Sequence, residues 1–436
     1  MRDLLLATVV FGLLPFVIKR PFWGILMLAW LGYMNPQLLC YGFMYRAPVV
    51  MIVAVVTMIG MLVSKEAKQM VWSREVIVLI IFIAWMAITT TQAFYFDPAV
   101  DQLIKVIKIQ ILTAMALMML TSRERIHQFI WIIVLSLGFY GLKGGIFTIV
   151  HGGVYRVQGP ATSFIAGNNE LALALVMTIP LIRFLHLQEK NKLIQMALAV
   201  SMPLVAIAAI GTQSRGALVG LTLTGTMFWL KSRNKLSTAV LIGVAVLLVV
   251  SIMPEQWYQR MDTIDTYQQD DSAIGRLNAW GTAINVANHR VLGGGFEMWH
   301  DYVFALYGPD PNNVRDAHSI YFKVLGEHGY IGLFLFLLLL ALTWFRCTSI
   351  IRIAKRRPDA GWARDLATMI QVSMIGYMSA GAFLGLSYFD YIYHLIVVAV
   401  VTHHLLTVSQ PASNSVVRTG PRTDPSVSGA PSLRRP

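Results

Sequence analysis

Residues 316–346 read DAHSIYFKVLGEHGYIGLFLFLLLLALTWFR, so a polar segment gives way to an apolar run within a few positions. The run over 318–346 is long enough to cross a bilayer as a helix, which needs about 20 mostly apolar residues. A long polar stretch, 254–317, comes directly before it. The sequence therefore predicts that the chain enters a membrane at His318, with a sizeable loop on that side.

Apolar runs of this kind recur along most of the 436 residues. The chain is 56% hydrophobic and 13% charged, with a mean hydropathy of +0.62, whereas a soluble domain needs more charge to cover its surface. Because helices satisfy their own backbone in lipid, we predict an all-α polytopic membrane protein. The predicted segments are 3–18, 21–37, 47–64, 75–95, 101–121, 125–150, 167–187, 192–211, 214–231, 236–253, 318–346, 363–386 and 388–408.

Basic residues occur in clusters between alternate segments, and the positive-inside rule assigns these clusters to the cytoplasm. The opposite, outer side then holds 94–101, 151–167, 213–214, the loop 254–317 and the short turn near Tyr388. The first two segments are short for spans, at about 16 residues each against about 20 for a typical one. We therefore expect about twelve true spans, with both ends of the chain in the cytoplasm.

Four regions follow from this topology. Residues 1–253 are predicted to form the N-terminal transmembrane helices, 254–317 a large, partly helical periplasmic loop, and 318–408 the C-terminal transmembrane helices. Residues 409–436 are rich in Pro, Ser, Gly and Arg and are expected to be a disordered cytoplasmic tail. The two cysteines lie in or beside apolar segments, so neither a disulfide framework nor a cysteine metal site is expected.

Inside the polar loop, a helix is predicted over 275–288 (GRLNAWGTAINVAN). Trp280 falls on its apolar face, and Arg276 shares that face in the first turn. An arginine at a helix N-terminus combines fixed donors with free backbone N–H groups, which suits a phosphate. The alternative is that Arg276 pairs with Asp270 or Asp271 at the loop surface.

Other polar residues lie at the outer ends of predicted spans. Arg215, in GTQSRGALVG, is costly in a membrane unless it lines a wet cavity or extends to the interface. Arg156, in HGGVYRVQGP, lies on the same predicted side. Asn168 and Asn169 open the next helix, where they either cap it or bind sugar hydroxyls through their amides.

His318 is the candidate base, because a neutral imidazole can accept a proton near pH 7. Neighbouring Asp316 is placed to orient the ring, and Glu327 and His328 either support the site or face a cavity. A lone histidine is also a common structural hydrogen-bond partner, and that alternative stays open here.

Carboxylates in the loop raise the question of a metal. Asp270 and Asp271 form a pair that could hold a divalent ion. Asp310 lies between two prolines, which favours a turn. Since no cluster with metal-ligand spacing appears, we expect no metal and no other cofactor, with arginines binding phosphate instead.

These residues together resemble the O-antigen ligase superfamily. His318–Ser319, nine residues, Gly329, two residues and Gly332 are similar to its signature. The SRGA around Arg215 resembles its intramembrane arginine motif. Arg276-x-x-x-Trp280, leading to the glycines at 293–295, also resembles a pattern of this superfamily, as does Arg156 with Gly159 and Asn169. The sequence as a whole is similar to the exosortase A-associated O-glycosylation ligases.

The resemblance implies an inverting, metal-independent glycosyltransferase in the bacterial inner membrane, with its active site facing the periplasm. Its donor would be an O-antigen on undecaprenyl diphosphate and its acceptor a lipid A core sugar, with membrane lipids around it and no nucleic acid. His318, Arg215 and Arg276 would be catalytic, and Arg156, Asn168, Asn169, Trp280 and Ser319 would bind substrate. The alternatives are a repeat-unit polymerase, a protein O-oligosaccharyltransferase and a lipid-linked sugar transporter.

Overall fold

The structure is a computed structural model that describes residues 1–232 and 271–408, with scattered positions between 234 and 255. Every regular element in these ranges is helical. The predicted span 236–253 falls largely, and the tail 409–436 entirely, outside the described residues, as do loop positions 256–270. The helices are α1 (Arg2–Lys19), α2 (Pro21–Tyr33), α3 (Phe43–Arg46), α4 (Val49–Val63), α5 (Arg74–Thr90), α6 (Phe96–Met119), α7 (Arg123–Val150), α8 (Asn168–Gln188), α9 (Lys192–Gly211), α10 (Arg215–Lys231), α11 (Asp271–His289), α12 (Asp301–Tyr307), α13 (Ile320–Ala354), α14 (Gly361–Ala380) and α15 (Asp390–Val408).

Seven of these helical stretches are long and apolar enough to cross a membrane: α6, α7, α8, α9, α13, Pro358–Phe383 and α15. Two shorter helices, α2 and α4, are also apolar. The chain is therefore a helical multi-pass membrane protein, as predicted. The expected count of twelve spans is not confirmed.

Long-range contacts gather the connections between helices at two ends of the bundle. At one end, Phe94 N donates to Gly294 O at 3.0 Å and Val157 N donates to Gly211 O at 3.0 Å. Ser387 Oγ donates to Ile320 O at 3.1 Å. We call this the loop end; it comprises 91–96, 151–167, 212–214, 271–319 and 381–389.

The opposite, basic end carries Arg125, Lys231 and Arg346. Arg346 forms a two-bond ion pair with Glu75, at 2.9 and 2.7 Å. Arg125 pairs with Glu66, and Lys231 Nζ donates to Gln371 at 3.3 Å. The alternation of charge along the sequence thus corresponds to a physical separation in the fold.

The start of the chain departs from the expected topology. Asp3 Oδ1 accepts from the backbone N–H groups of Gly42 and Met44, at 3.0 and 3.1 Å, so Met1 lies beside the connection between α2 and α4. Phe22 N donates to Glu66 Oε2 at 3.2 Å, which places the connection between α1 and α2 at the basic end. Both short helices therefore run between the ends of the bundle, and Met1 and Val408 lie at opposite ends.

Candidate active site

His318 lies two positions before the membrane helix α13 begins at Ile320, with the capping residue Ser319 between them. Its backbone has φ of +43°, in the left-handed region, and its side chain is half-buried. Non-glycine residues rarely adopt this conformation, although His, Asn and Asp do so more often than others. Such a conformation persists only where surrounding contacts enforce it.

Three hydrogen bonds hold the residues on either side of His318, two at backbone carbonyls and one at the Asp316 side chain. Trp280 Nε1 donates to Ala317 O at 2.8 Å, Lys323 Nζ donates to Asp316 Oδ1 at 3.3 Å, and Ser387 Oγ holds Ile320 O. These donors come from α11, from α13 itself and from the segment before α15. His318 is thus positioned by three separate parts of the chain.

Trp280 has a defined place in this arrangement. Its ring stacks on Phe322, with centroids 4.7 Å apart and planes 12° from parallel, while its N–H is used by Ala317. The indole of Trp280, which was expected to bind substrate, therefore packs against α13 and links α11 to the residue before His318.

A buried polar network lies beneath the site. The Glu327 carboxylate is fully buried and accepts from Tyr388 at 2.7 Å and from Trp299 at 3.2 Å, with Lys323 Nζ 3.6 Å away. Lys323 also pairs with Asp316, so one ammonium bridges two carboxylates. Asp316 was expected to orient the His318 ring, but within the described residues its hydrogen bond goes to Lys323. Glu327 was predicted either to support the site or to face a cavity, and it lies within this buried network.

Gly329 breaks α13 nine residues after the helix begins at Ile320. Its φ of +67° is non-helical, and a Cβ there would overlap the carbonyl oxygen of Val291. The break frees three successive carbonyls, and each finds a donor: Gly294 N bonds Gly326 O at 2.8 Å, Gly295 N bonds Glu327 O at 2.9 Å, and Trp85 Nε1 bonds His328 O at 2.9 Å. The glycine turn of the loop therefore docks onto the broken helix.

His328, directly before Gly329, also connects α13 to other parts of the chain. It is fully buried, its Nδ1 lies 2.7 Å from Thr89 Oγ1, and its ring meets the Phe296 ring edge-on at 4.6 Å. These contacts tie α13 to α5 and to the glycine turn. The structure gives His328 a supporting place and keeps it away from the surface where His318 lies.

The loop helix contains the predicted residues but begins earlier than expected. It starts at Asp271, so Arg276 lies in its second turn and not at the free N–H groups of the first. The expectation of a helix N-terminal anion site at Arg276 is therefore wrong, because the backbone N–H groups there are already inside the helix. The Arg276 guanidinium remains on a half-buried position of the helix face that carries Trp280.

Arg315 is a further cation at this site that the sequence reasoning missed. Its side chain lies across α11 at Gly275, where an added Cβ would come within 3.0 Å of Arg315 Cγ and 3.1 Å of its Nε. Arg315 is exposed and lies three residues before His318. Its position in the sequence next to a candidate base was the available signal.

Arg215, Arg156 and Asn168 form a second set. Arg156 Nε donates to Gln213 Oε1 at 3.3 Å, and Gln213 Nε2 donates back to Gly153 O at 3.0 Å. Asn168 Nδ2 donates to Thr212 O at 2.9 Å. The loop after α7 is thus joined to the turn that presents Arg215 at the start of α10.

The short 3-10 helix Gly381–Phe383 lies between the two sets. A Cβ on Gly216 would lie 3.2 Å from Phe383 Cβ, and one on Gly381 would lie 2.8 Å from Ile320 Cδ1. Arg215 and His318 therefore occupy neighbouring positions on either side of this segment, both at the loop end. Asn169 is half-buried next to Asn168 at the start of α8.

Two other predicted residues have clear places. Ser319 caps α13 with its backbone, and its buried hydroxyl makes no hydrogen bond within the described part of the chain. Asp310 is a turn residue, since its Oδ1 accepts from Asn312 N at 3.0 Å and its backbone pairs with Asn278. Asp270 lies outside the described residues.

Two family models match successive parts of the chain. Residues 1–190 match a family of unknown function. Residues 196–337, which include Arg215, α11, the glycine turn and His318, match the family described as O-Antigen ligase. A comparison with curated proteins finds no match. The matched region carries Arg215, Arg276 and His318, so residues 196–337 form a domain of the O-antigen ligase family.

Proposed function

We propose that this protein is an inverting, metal-independent glycosyltransferase that joins an O-antigen polysaccharide, carried on undecaprenyl diphosphate, to a lipid A core sugar at the periplasmic face of the inner membrane. The observation that carries the proposal is the place of His318. It sits in a left-handed conformation where the chain enters the bundle, held by three elements, at the end that also carries Arg215, Arg276 and Arg156.

The arginines are assigned to the donor. As the glycosidic bond breaks, negative charge develops on the leaving diphosphate, and preorganised cations stabilise that charge. Arginine is suited to this because its planar fork bonds phosphate oxygens in pairs. Arg215 and Arg276 would bind the diphosphate, with Arg156 and the amides of Asn168 and Asn169 nearer the sugar.

His318 is assigned to the acceptor. The acceptor hydroxyl oxygen attacks the anomeric carbon, its proton passes to the imidazole, and the bond from that carbon to the diphosphate oxygen breaks. Attack opposite the leaving group inverts the anomeric configuration. The buried hydroxyl of Ser319 lies next to the base and is assigned to holding the acceptor.

A deletion strain compared with its complemented strain tests the function. If the protein is the ligase, the deletion removes polymer from the lipid A core and lipid-linked polymer accumulates. Cores that carry a single repeat unit would instead indicate a polymerase. An unchanged lipopolysaccharide with loss of glycan from proteins would indicate a protein O-oligosaccharyltransferase, and lipid-linked glycan trapped on the cytoplasmic side would indicate a transporter.

A further inference from the structure

A cleft at the basic end plays no part in the proposed transfer. Its volume is about 420 Å³, and it opens between the start of α5, the basic-end part of α13 and the last turns of α15. Its charged and titratable lining consists of Arg74, Arg346, His403 and His404. The cleft lies at the opposite end of the bundle from His318, so it needs its own explanation.

The lining of the cleft has an excess of positive charge. Arg346 is neutralised by its two-bond pair with Glu75. Arg74 is exposed and forms no ion pair with any residue the structure describes. The lining residues include no Asp or Glu. An anion in the cleft would therefore meet an uncompensated guanidinium and no repelling carboxylate.

The cleft also has hydrogen-bond donors from the start of α5 and from an imidazole ring. α5 begins at Arg74, and Ser73 caps it, so the positive end of that helix stands at the cleft. His404 Nε2 lies 2.7 Å from the Gln69 amide nitrogen, which only donates, so a neutral His404 carries its proton on Nδ1. The opposing negative end of α15 is covered, because Arg357 Nη1 donates to Leu406 O at 2.9 Å.

An apolar stripe leads away from the cleft along α5. Ile77 lines the cleft, and Ile80 and Ile81 follow at helical spacing on the same face. The three side chains are exposed by 49%, 47% and 48%. Trp72, exposed by 67%, stands at the rim, where tryptophan suits the membrane interface. The surface thus joins a positively charged cleft to an exposed apolar stripe along α5.

We propose that this cleft binds an anionic phospholipid, with the headgroup phosphate at Arg74 and His404 and an acyl chain along Ile77, Ile80 and Ile81. Basic pockets between membrane helices at the cytoplasmic side are the usual place for such headgroups. A free phosphate would leave the isoleucine stripe unused. The ammonium of a phosphatidylethanolamine headgroup would find no carboxylate in the lining.

Native mass spectrometry of the full-length protein in detergent tests the proposal, with phosphatidylglycerol, phosphatidylethanolamine and inorganic phosphate as probes. Phosphatidylglycerol is expected to bind the wild type at least fivefold more tightly than phosphatidylethanolamine. Arg74→Gln should weaken phosphatidylglycerol binding about fivefold, the effect of one basic residue near an anionic lipid. Ile77→Ser should weaken it without changing any binding of inorganic phosphate.

Lys355→Gln is the matched control, because Lys355 is exposed at the same end and does not line the cleft. It removes the same charge and should leave lipid binding unchanged. Equal losses in Arg74→Gln and Lys355→Gln would mean diffuse attraction and would overturn the proposal. So would equal binding of the two phospholipids, or displacement of phosphatidylglycerol by inorganic phosphate, which would indicate a site for a soluble anion.

Discussion

At the scale of single residues, His318 combines an unusual backbone with the proposed proton transfer. Asparagine also tolerates the left-handed region, so His318→Asn removes the base without adding backbone strain. We expect glycan transfer to fall at least about 100-fold, the lower range for loss of a general base, at an unchanged protein level. Lipopolysaccharide gels and immunoblots measure the two quantities.

His151→Asn is the control for that variant. His151 is exposed at the loop end, and its ring nitrogen contacts its own helix at Phe147 O. Its replacement should leave transfer close to wild type. Substantial transfer by His318→Asn would remove His318 from the role of base.

Arg215→Lys separates charge from geometry at the second set of residues. Lysine keeps the positive charge but loses the planar fork that binds two phosphate oxygens. We expect at least about a tenfold loss of transfer, equivalent to about 1.4 kcal/mol, at normal expression. Transfer rates in membranes supplied with lipid-linked donor measure the effect. Wild-type rates would show that Arg215 does not bind the diphosphate directly.

The sequence was informative about which polar residues lie on the same side of the membrane. Successive spans alternate in direction, and this alternation alone determines the side of each connection. His318, Arg215 and Arg156 were predicted on one side and are found at one end. Their contacts were less predictable: the bond from Trp280 to Ala317 and the bridge from Lys323 to Asp316 depend on how separate segments dock. Sequence spacing holds no information on such pairings.

At the scale of elements, the break in α13 makes Gly329 hard to replace. Gly329→Ala forces a side chain into a left-handed position and against Val291 O. We expect a loss of about 1–3 kcal/mol of stability, measured as a lower thermal midpoint in detergent. Gly138→Ala is the control, since a Cβ at Gly138 in α7 meets nothing within 4 Å. Equal midpoints for the two variants would contradict a required break.

Trp280→Phe tests the link between α11 and α13. Phenylalanine can keep the stacking on Phe322 but cannot donate to Ala317 O. The lost bond should cost about 1 kcal/mol and loosen the backbone beside His318. We expect slower transfer with little change in the amount of folded protein. Trp72→Phe, at the basic end, should leave the transfer rate unchanged.

Elements themselves were largely predictable, and their irregularities were not. The loop helix was predicted over 275–288 and is found at Asp271–His289. The helix after His318 was predicted as one continuous run because its apolar residues persist through Gly329 and Gly332. The two glycines were available as a signal, since a glycine inside a helix often marks a local break.

At the scale of the whole molecule, the two ends should face opposite sides of the membrane. Both natural cysteines, Cys40 and Cys347, are buried, so background labelling should be low. A membrane-impermeant maleimide should label Asp301→Cys in cells with an opened outer membrane. Lys190→Cys should react only after the inner membrane is lysed, because both positions are exposed at opposite ends. The reverse pattern would invert the proposed orientation.

The same experiment decides the side of the N-terminus. Asp3 contacts Gly42 and Met44 at the end of α1 and α2 that lies away from the basic end, so an epitope fused to Met1 should be reached from the same side as position 301. The expected count of twelve spans favoured the other side, because it treated the first two short segments as less than two full spans. Their length was misleading, since α2 is followed by the 3-10 helix Pro36–Leu39 before the chain returns.

The docking of the glycine turn onto the broken helix also bears on biogenesis. In lipid, an unpaired carbonyl costs several kcal/mol, roughly, so the three carbonyls at 326–328 need their donors as soon as they enter the membrane. Those donors are at 85, 294 and 295, all earlier in the chain. During translation the partners leave the ribosome first, and the discontinuous helix can complete its bonding as it is inserted.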